Sequence, residues 1–176
     1  MKRILCALLA FAMVFCFFGC KNPEQELMEP VSFYYPCVLN TDSLEANGTP
    51  FPVIDSELRE AEGHRQDLLY LLSLYLRGPE SGELAQIFPA GTGLVSVELT
   101  EGQLCVTLTE QFGQLTGLPL SMACACLTLT CLELCDADTV SIQAQGILLD
   151  GQNAVVMSRD SLILTDKNTY TSEPTE

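Results

Sequence analysis

The chain has 176 residues with 23 acidic and eight basic side chains, a formal net charge of −15 and a sequence pI near 4.2. Nucleic acid is excluded as a partner on that balance, because phosphate recognition needs a Lys/Arg surface that releases counterions, and anionic lipid head groups are disfavoured for the same reason. An apolar fraction of 48% is ample for one domain core.

In chain order, Lys2 and Arg3 form a positive n-region, and residues 4–18 follow as an uncharged apolar run. This is the pattern of a signal-peptide core, too short for the roughly 20 residues of a permanent membrane span. Phe17-Phe18-Gly19-Cys20 resembles a lipobox, with Phe where Leu and a small residue are more usual. The reading is a lipoprotein signal peptide over residues 1–19 and lipidation at Cys20, which two or more acyl chains would convert into stable membrane anchoring. The alternative is an ordinary cleavage after Gly19 that leaves Cys20 a plain thiol. Residues 20–30 are polar and acidic and read as the lipidated cysteine with its tether; a single domain is expected over 31–165 and a frayed tail over 166–176.

Residues 31–36, VSFYYP, have the β-branched and aromatic character of a strand, and 51–58 could be its neighbour beyond a loop containing Asn47-Gly48. A helix is expected from Asp55 or Ser56 to Arg77, with Leu68, Leu69, Leu72, Tyr75 and Leu76 on its apolar face and Gly78-Pro79 as its stop. LVSVEL at 94–99 and LCVTL at 104–108 alternate on either side of a short polar turn and predict a hairpin. Residues 121–134 form a second helix, apolar nearly all round and so expected to be buried against the sheet, with its outer face covered as well. TVSIQAQ at 139–145 alternates as a strand, placing Ser141, Gln143 and Gln145 on a solvated face. One or two short strands are expected over 147–164. The fold class is α+β: a mixed or antiparallel sheet of about four to six strands with two helices on one face.

Six cysteines remain after Cys20: Cys37, Cys105, Cys124, Cys126, Cys131 and Cys135. An even number in a secreted chain invites disulfides. Within a helix, however, Cys124 and Cys131 sit about 10 Å apart, beyond the roughly 7 Å limit for a bridge. On a helical wheel Cys124, Cys131 and Cys135 share a stripe and Cys126 points nearly opposite. A soft-metal site lacks the second C-x₂₋₄-C pair that structural zinc uses, so these thiols read as small core hydrophobes, with room for one bridge involving Cys37 or Cys105.

No catalytic set emerges. His64 is the sole histidine and reads as a solvated residue at a helix start; Glu57, Glu60 and Glu62 read as a solvated acidic run before that helix. No phosphate loop, nucleophile elbow or dinucleotide fingerprint is present, and Asp136-Ala137-Asp138 and Asp150-Gly151 lack calcium-loop spacing and read as turns, as do 91–93 and 113–119. The expectation is a non-enzyme with no cofactor and no metal.

The phrases LxLRGP ending at Pro79, Phe88-Pro89-Ala90-Gly91-Thr92 before LVSVEL, EGQLCVTLTEQF ending at Phe112, and TVSIQAQG ending at Gly146 occur in an order that resembles the GerMN domain, over about residues 31–151. The last strand departs from it, with Gln145 before the glycine where that family more often has an acid, and so does the cysteine-rich helix; both departures bear on any shared surface. The resemblance implies a ring-building-like layout. It also implies a lipoprotein or secreted module of Gram-positive bacteria, acting in sporulation, germination or envelope assembly, with envelope proteins or further copies as partners and without established catalytic residues. A cell-wall glycan or small-ligand binding lipoprotein is the alternative, weakened by the absence of Trp.

Overall fold

The computed structural model describes residues 29–38 and 54–162. The expected signal peptide, Cys20, most of the expected tether, the loop expected at Asn47-Gly48 and the expected tail lie outside the described residues.

Among the described residues, six strands form two sheets rather than one. β1 (Val31–Pro36) and β2 (Ile54–Arg59) make an antiparallel pair, and β3 (Leu94–Thr100), β4 (Gln103–Leu108), β5 (Thr139–Ala144) and β6 (Val155–Ser158) make a mixed sheet in that order. β3 and β4 join through Glu101 and Gly102, both at positive φ (51° and 79°), the backbone a two-residue hairpin turn requires. β4 and β5 run parallel. A parallel pair needs a long crossover, and the segment between them supplies it with a 3₁₀ turn over Glu110–Gln114 and helix α2 (Gly117–Leu134).

Helix α1 spans only Leu68–Tyr75, not residues 55 or 56 to 77. The expected longer helix is cut because Ile54–Arg59 is needed as a strand opposite β1, and because Glu62 and Gly63 take positive φ values of 50° and 82°. A fresh start follows at Asp67, whose carboxylate accepts the Tyr70 amide hydrogen at 3.0 Å. Leu71, Leu72 and Tyr75 are its buried face; Leu69, expected there, is 54% exposed. Gly78 at φ +98° ends the segment where expected.

α2 begins four residues before the expected Ser121. Pro119 is accommodated because the first-turn amides of a helix have no intrahelical acceptor, and Asp150 Oδ2 takes the Gly117 amide at 2.9 Å. Ten of its 18 residues are buried, pointing in nearly every direction. The cause is its position: α2 packs on β5 and β6 on one side and runs alongside β1 on the other. Leu120, Ala123, Cys124, Leu127, Cys131 and Leu134 enter the main core with Leu104, Val106, Leu108, Val140 and Ile142, while Thr130 meets β1 by accepting the Tyr34 amide at 3.0 Å. Its length and apolarity would suffice for a membrane span, but burial inside the domain accounts for both. The expected strand at 139–145 is present as β5, yet Ser141 is only 5% exposed, because β5 is an inner strand flanked by β4 and β6.

Candidate functional site

Aromatic side chains build the centre of the domain. Tyr75 from α1 lies against Phe33 (centroids 5.5 Å), Tyr35 (4.8 Å) and Phe88 (5.3 Å), and Phe88 continues to Phe112. Their polar ends are satisfied: Tyr35 donates to the Tyr75 carbonyl at 2.7 Å, and Tyr75 donates to the Tyr34 carbonyl at 2.9 Å. Burial raises the Tyr75 phenol well above its ordinary value, with the Cys126 and Tyr35 charges adding to the effect. These phenols hold α1, β1 and α2 together, and as neutral hydrogen-bonded groups they have no means of acting as acids near neutral pH.

Beside this cluster, Arg59 at the end of β2 is 7% exposed and lies 5.9 Å from the centroid of the Phe33 ring. It pairs with Glu57 Oε1 (2.7 Å) and Glu80 Oε1 (3.2 Å) and donates to the Gly78 carbonyl (2.7 Å). Glu57 also accepts the amides of Glu80 and Ser81. Glu57 is therefore no member of a solvated run: it fastens the loop after α1 to β2. Glu62 accepts from the Tyr70 hydroxyl at 2.6 Å, and His64 stacks on the Tyr70 ring at 4.1 Å on the surface, as a solvated histidine would.

The cysteines divide by environment. Cys124, Cys126 and Cys131 are 0% exposed, while Cys37, Cys105 and Cys135 are half-buried. Burial pushes the Cys124 and Cys126 thiols up to about 12 and raises Cys131 further, Cys135 adding to the last. Cys135 is raised by burial and by Asp136, and its thiol donates to the Cys131 carbonyl at 3.3 Å. Among the described residues no group of three or more His, Cys, Asp and Glu side chains is placed to hold a metal ion. Cys126, opposite the stripe on the wheel, is as buried as Cys124 and Cys131, on the side of α2 where Thr130 meets β1. Thiolate is the reactive form, so iodoacetamide at pH 8 is expected to leave Cys124, Cys126 and Cys131 unmodified in the folded protein and to label them once urea unfolds it. Mass-spectrometric peptide mapping reads the result; fast native labelling of Cys131 would contradict the packing.

A cleft of about 470 Å³ opens at the C-terminal end of α2, between Glu29, Arg65, Gln66, Glu133 and Asp136 over a floor of Leu68 and Leu134. Arg65 donates to the Leu134 carbonyl at 3.3 Å, a cation at the negative end of the helix. The cleft lies where the chain enters β1 from the tether side. No sequence signal pointed to it, because its walls come from three separated segments.

These features define an α+β domain that buries a cysteine-bearing helix between a strand pair and a mixed sheet. No protein-family model matches the sequence, and no curated protein matches it. Among solved structures, the tandem GerMN domains of the sporulation protein GerM from Bacillus subtilis align with 84% of this chain and 51% of theirs, at 18% identity and a TM-score of 0.57. A lipoprotein candidate from Clostridium perfringens aligns with 85% of this chain and 100% of its own, at 16% identity and a TM-score of 0.47. The domain has a GerMN-like fold. The chain spans about half the length of the tandem structure it matches.

Proposed function

We propose that this chain is a lipoprotein held by Cys20 at the extracytoplasmic face of a cell membrane, where its GerMN-like domain acts as a non-enzymatic interaction module in envelope assembly, with sporulation or germination as the setting. The supporting observation is the GerMN-like fold following, in sequence, the signal-peptide-like residues 1–19 and the lipobox-like Cys20. The arrangement of the domain fits a docking role. Its polar groups go into fastening elements together, whereas Leu58 and Leu118 remain 71% and 75% exposed and β3 leaves one edge of the mixed sheet open. The partners under this reading are envelope proteins.

Cys20→Ser is the direct test of the anchor. Fractionation of cells producing the variant is expected to move the protein from the membrane pellet to the soluble extracytoplasmic fraction, while metabolic labelling with a palmitate analogue disappears. Retention in the membrane without labelling would remove the lipid from the account. Crosslinking on intact cells, run beside binding to peptidoglycan fragments, tests the module: saturable glycan binding with no crosslinked protein would sink the interaction reading.

A further inference from the structure

We infer that Cys37 and Cys126 form an oxidisable dithiol that can close into a disulfide joining the end of β1 to the middle of α2. The placement follows from how β1 and α2 lie together. Glu29, just before β1, shares the cleft with Glu133 and Asp136 at the C-terminal end of α2, so the strand runs toward the N-terminal end of the helix as it proceeds. The Tyr34 amide bonded to Thr130 Oγ1 fixes the register between them. From that bond Cys37 lies three residues further along the strand, about 10 Å, and Cys126 four residues back along the helix, about 6 Å. The offset along their common direction is therefore about 4 Å, so the two residues lie nearly level with each other across the gap between strand and helix. Cys126 and Thr130, four residues apart, share one face of α2, so Cys126 faces the same strand.

Backbone contacts hold Cys37 in that place. It bridges to Leu84, and on either side of it the Pro36 carbonyl accepts from Ala85 and the Val38 amide donates to Glu83, both at 2.8 Å. The two thiols sense each other electrostatically, since charge on Cys37 raises the Cys126 thiol after burial has done so. Exposure differs between them in the way stepwise oxidation needs. Cys37 is half-buried and reachable, while Cys126 is 0% exposed.

The oxidant is a low-molecular-weight disulfide, RSSR. The Cys37 thiolate attacks one sulfur of RSSR, forming a Cys37–SR mixed disulfide and expelling RS⁻, which takes the proton lost from Cys37. The Cys126 thiolate then attacks the Cys37 sulfur, the Cys37–SR bond breaks, and a second RS⁻ leaves with the Cys126 proton. Two protein thiols are oxidised to one disulfide and RSSR is reduced to two RSH. The second step is the slow one near neutral pH, because so little of Cys126 is thiolate, and closure accelerates as pH rises.

The test uses the full chain in detergent, oxidised with glutathione disulfide at pH 8.5 and mapped by mass spectrometry without reduction. The expected result is a linked pair of peptides containing Cys37 and Cys126, with the oxidised protein melting about 5–10 °C above the same sample in dithiothreitol. Cys37→Ser, at a half-buried position the fold tolerates, is expected to lose both the linkage and the shift in melting temperature. A stable glutathione adduct on Cys37, a bridge to another cysteine, or Cys37 and Cys126 both still open to alkylation after unfolding would each overturn the pairing.

Discussion

Tyr75→Ala is expected to destabilise the domain by about 3–5 kcal/mol, seen as a lower midpoint in urea unfolding followed by circular dichroism. The ring is 0% exposed and touches Phe33, Tyr35 and Phe88, so its removal leaves a cavity among side chains that are themselves in contact and have little room to collapse. The phenol adds a second component. It is the hydrogen-bond donor to the carbonyl of Tyr34, the residue whose amide Thr130 accepts. Tyr75→Phe separates the two effects: it keeps the ring packing and is expected to cost about 1–2 kcal/mol for the polar groups left without a partner. Equal losses in the two variants would mean that the hydrogen bonds, not the packing, hold α1 to β1 and α2. A loss under 1 kcal/mol in Tyr75→Ala would mean that the aromatic cluster is not the centre of the domain. Against a typical stability of about 5–15 kcal/mol, the larger loss is enough to unfold a marginal protein.

The residues that made the fold legible in the sequence are those whose patterns are local. VSFYYP, the LVSVEL and LCVTL pair around Glu101-Gly102, and the apolar helix before TVSIQAQ each carry their own periodicity or turn chemistry, and each appears as β1, the β3–β4 hairpin, α2 and β5. What escaped was non-local. Residues 54–59 fit two readings in the sequence, the strand beside β1 expected over 51–58 and the start of a helix at Asp55 or Ser56; β1 opposite, and Arg59 binding Glu57, Glu80 and the Gly78 carbonyl, decide for the strand. Asp67 ahead of LLYLL was the available signal for the true helix start. Division of the strands into two sheets was hidden for the same reason: it depends on α2 lying beside the edge of β1, a contact between residues 96 apart made by the Thr130 hydroxyl. The apolar wheel of α2 announced burial on all sides, which is what two covering layers require. The cleft at its foot, assembled from residues 29, 65, 66, 68 and 133–136, left no mark in any one segment.

The same helix makes alkaline pH the condition that tests the core most directly. Cys124 and Cys126 have thiols pushed up to about 12 in the folded protein, and Cys131 is raised further, whereas an unfolded cysteine ionises near 9. Below pH 9 the folded and unfolded chains hold the same protons and these groups leave stability unchanged. Above it the unfolded chain loses protons that the folded chain keeps, so stability falls as pH rises, by roughly 1.4 kcal/mol per pH unit for each thiol. Three such groups withdraw about 3 kcal/mol between pH 9 and 10, an order-of-magnitude figure that is already a large part of the stability of many domains. Tyr35 and Tyr75, also raised by burial, steepen the fall above pH 10. The expected result is a melting temperature that is level from pH 7 to 8.5 and drops steeply by pH 10 under reducing conditions. Cys131→Ala should begin from a lower melting temperature, because it leaves a small cavity, yet show a shallower slope, because one titrating group is gone. Closing the Cys37–Cys126 bridge should likewise flatten the slope, because it removes the Cys126 thiol from the titration. A melting temperature unchanged to pH 10.5 in the reduced protein would mean that these thiols are solvated and that α2 is not enclosed on both sides.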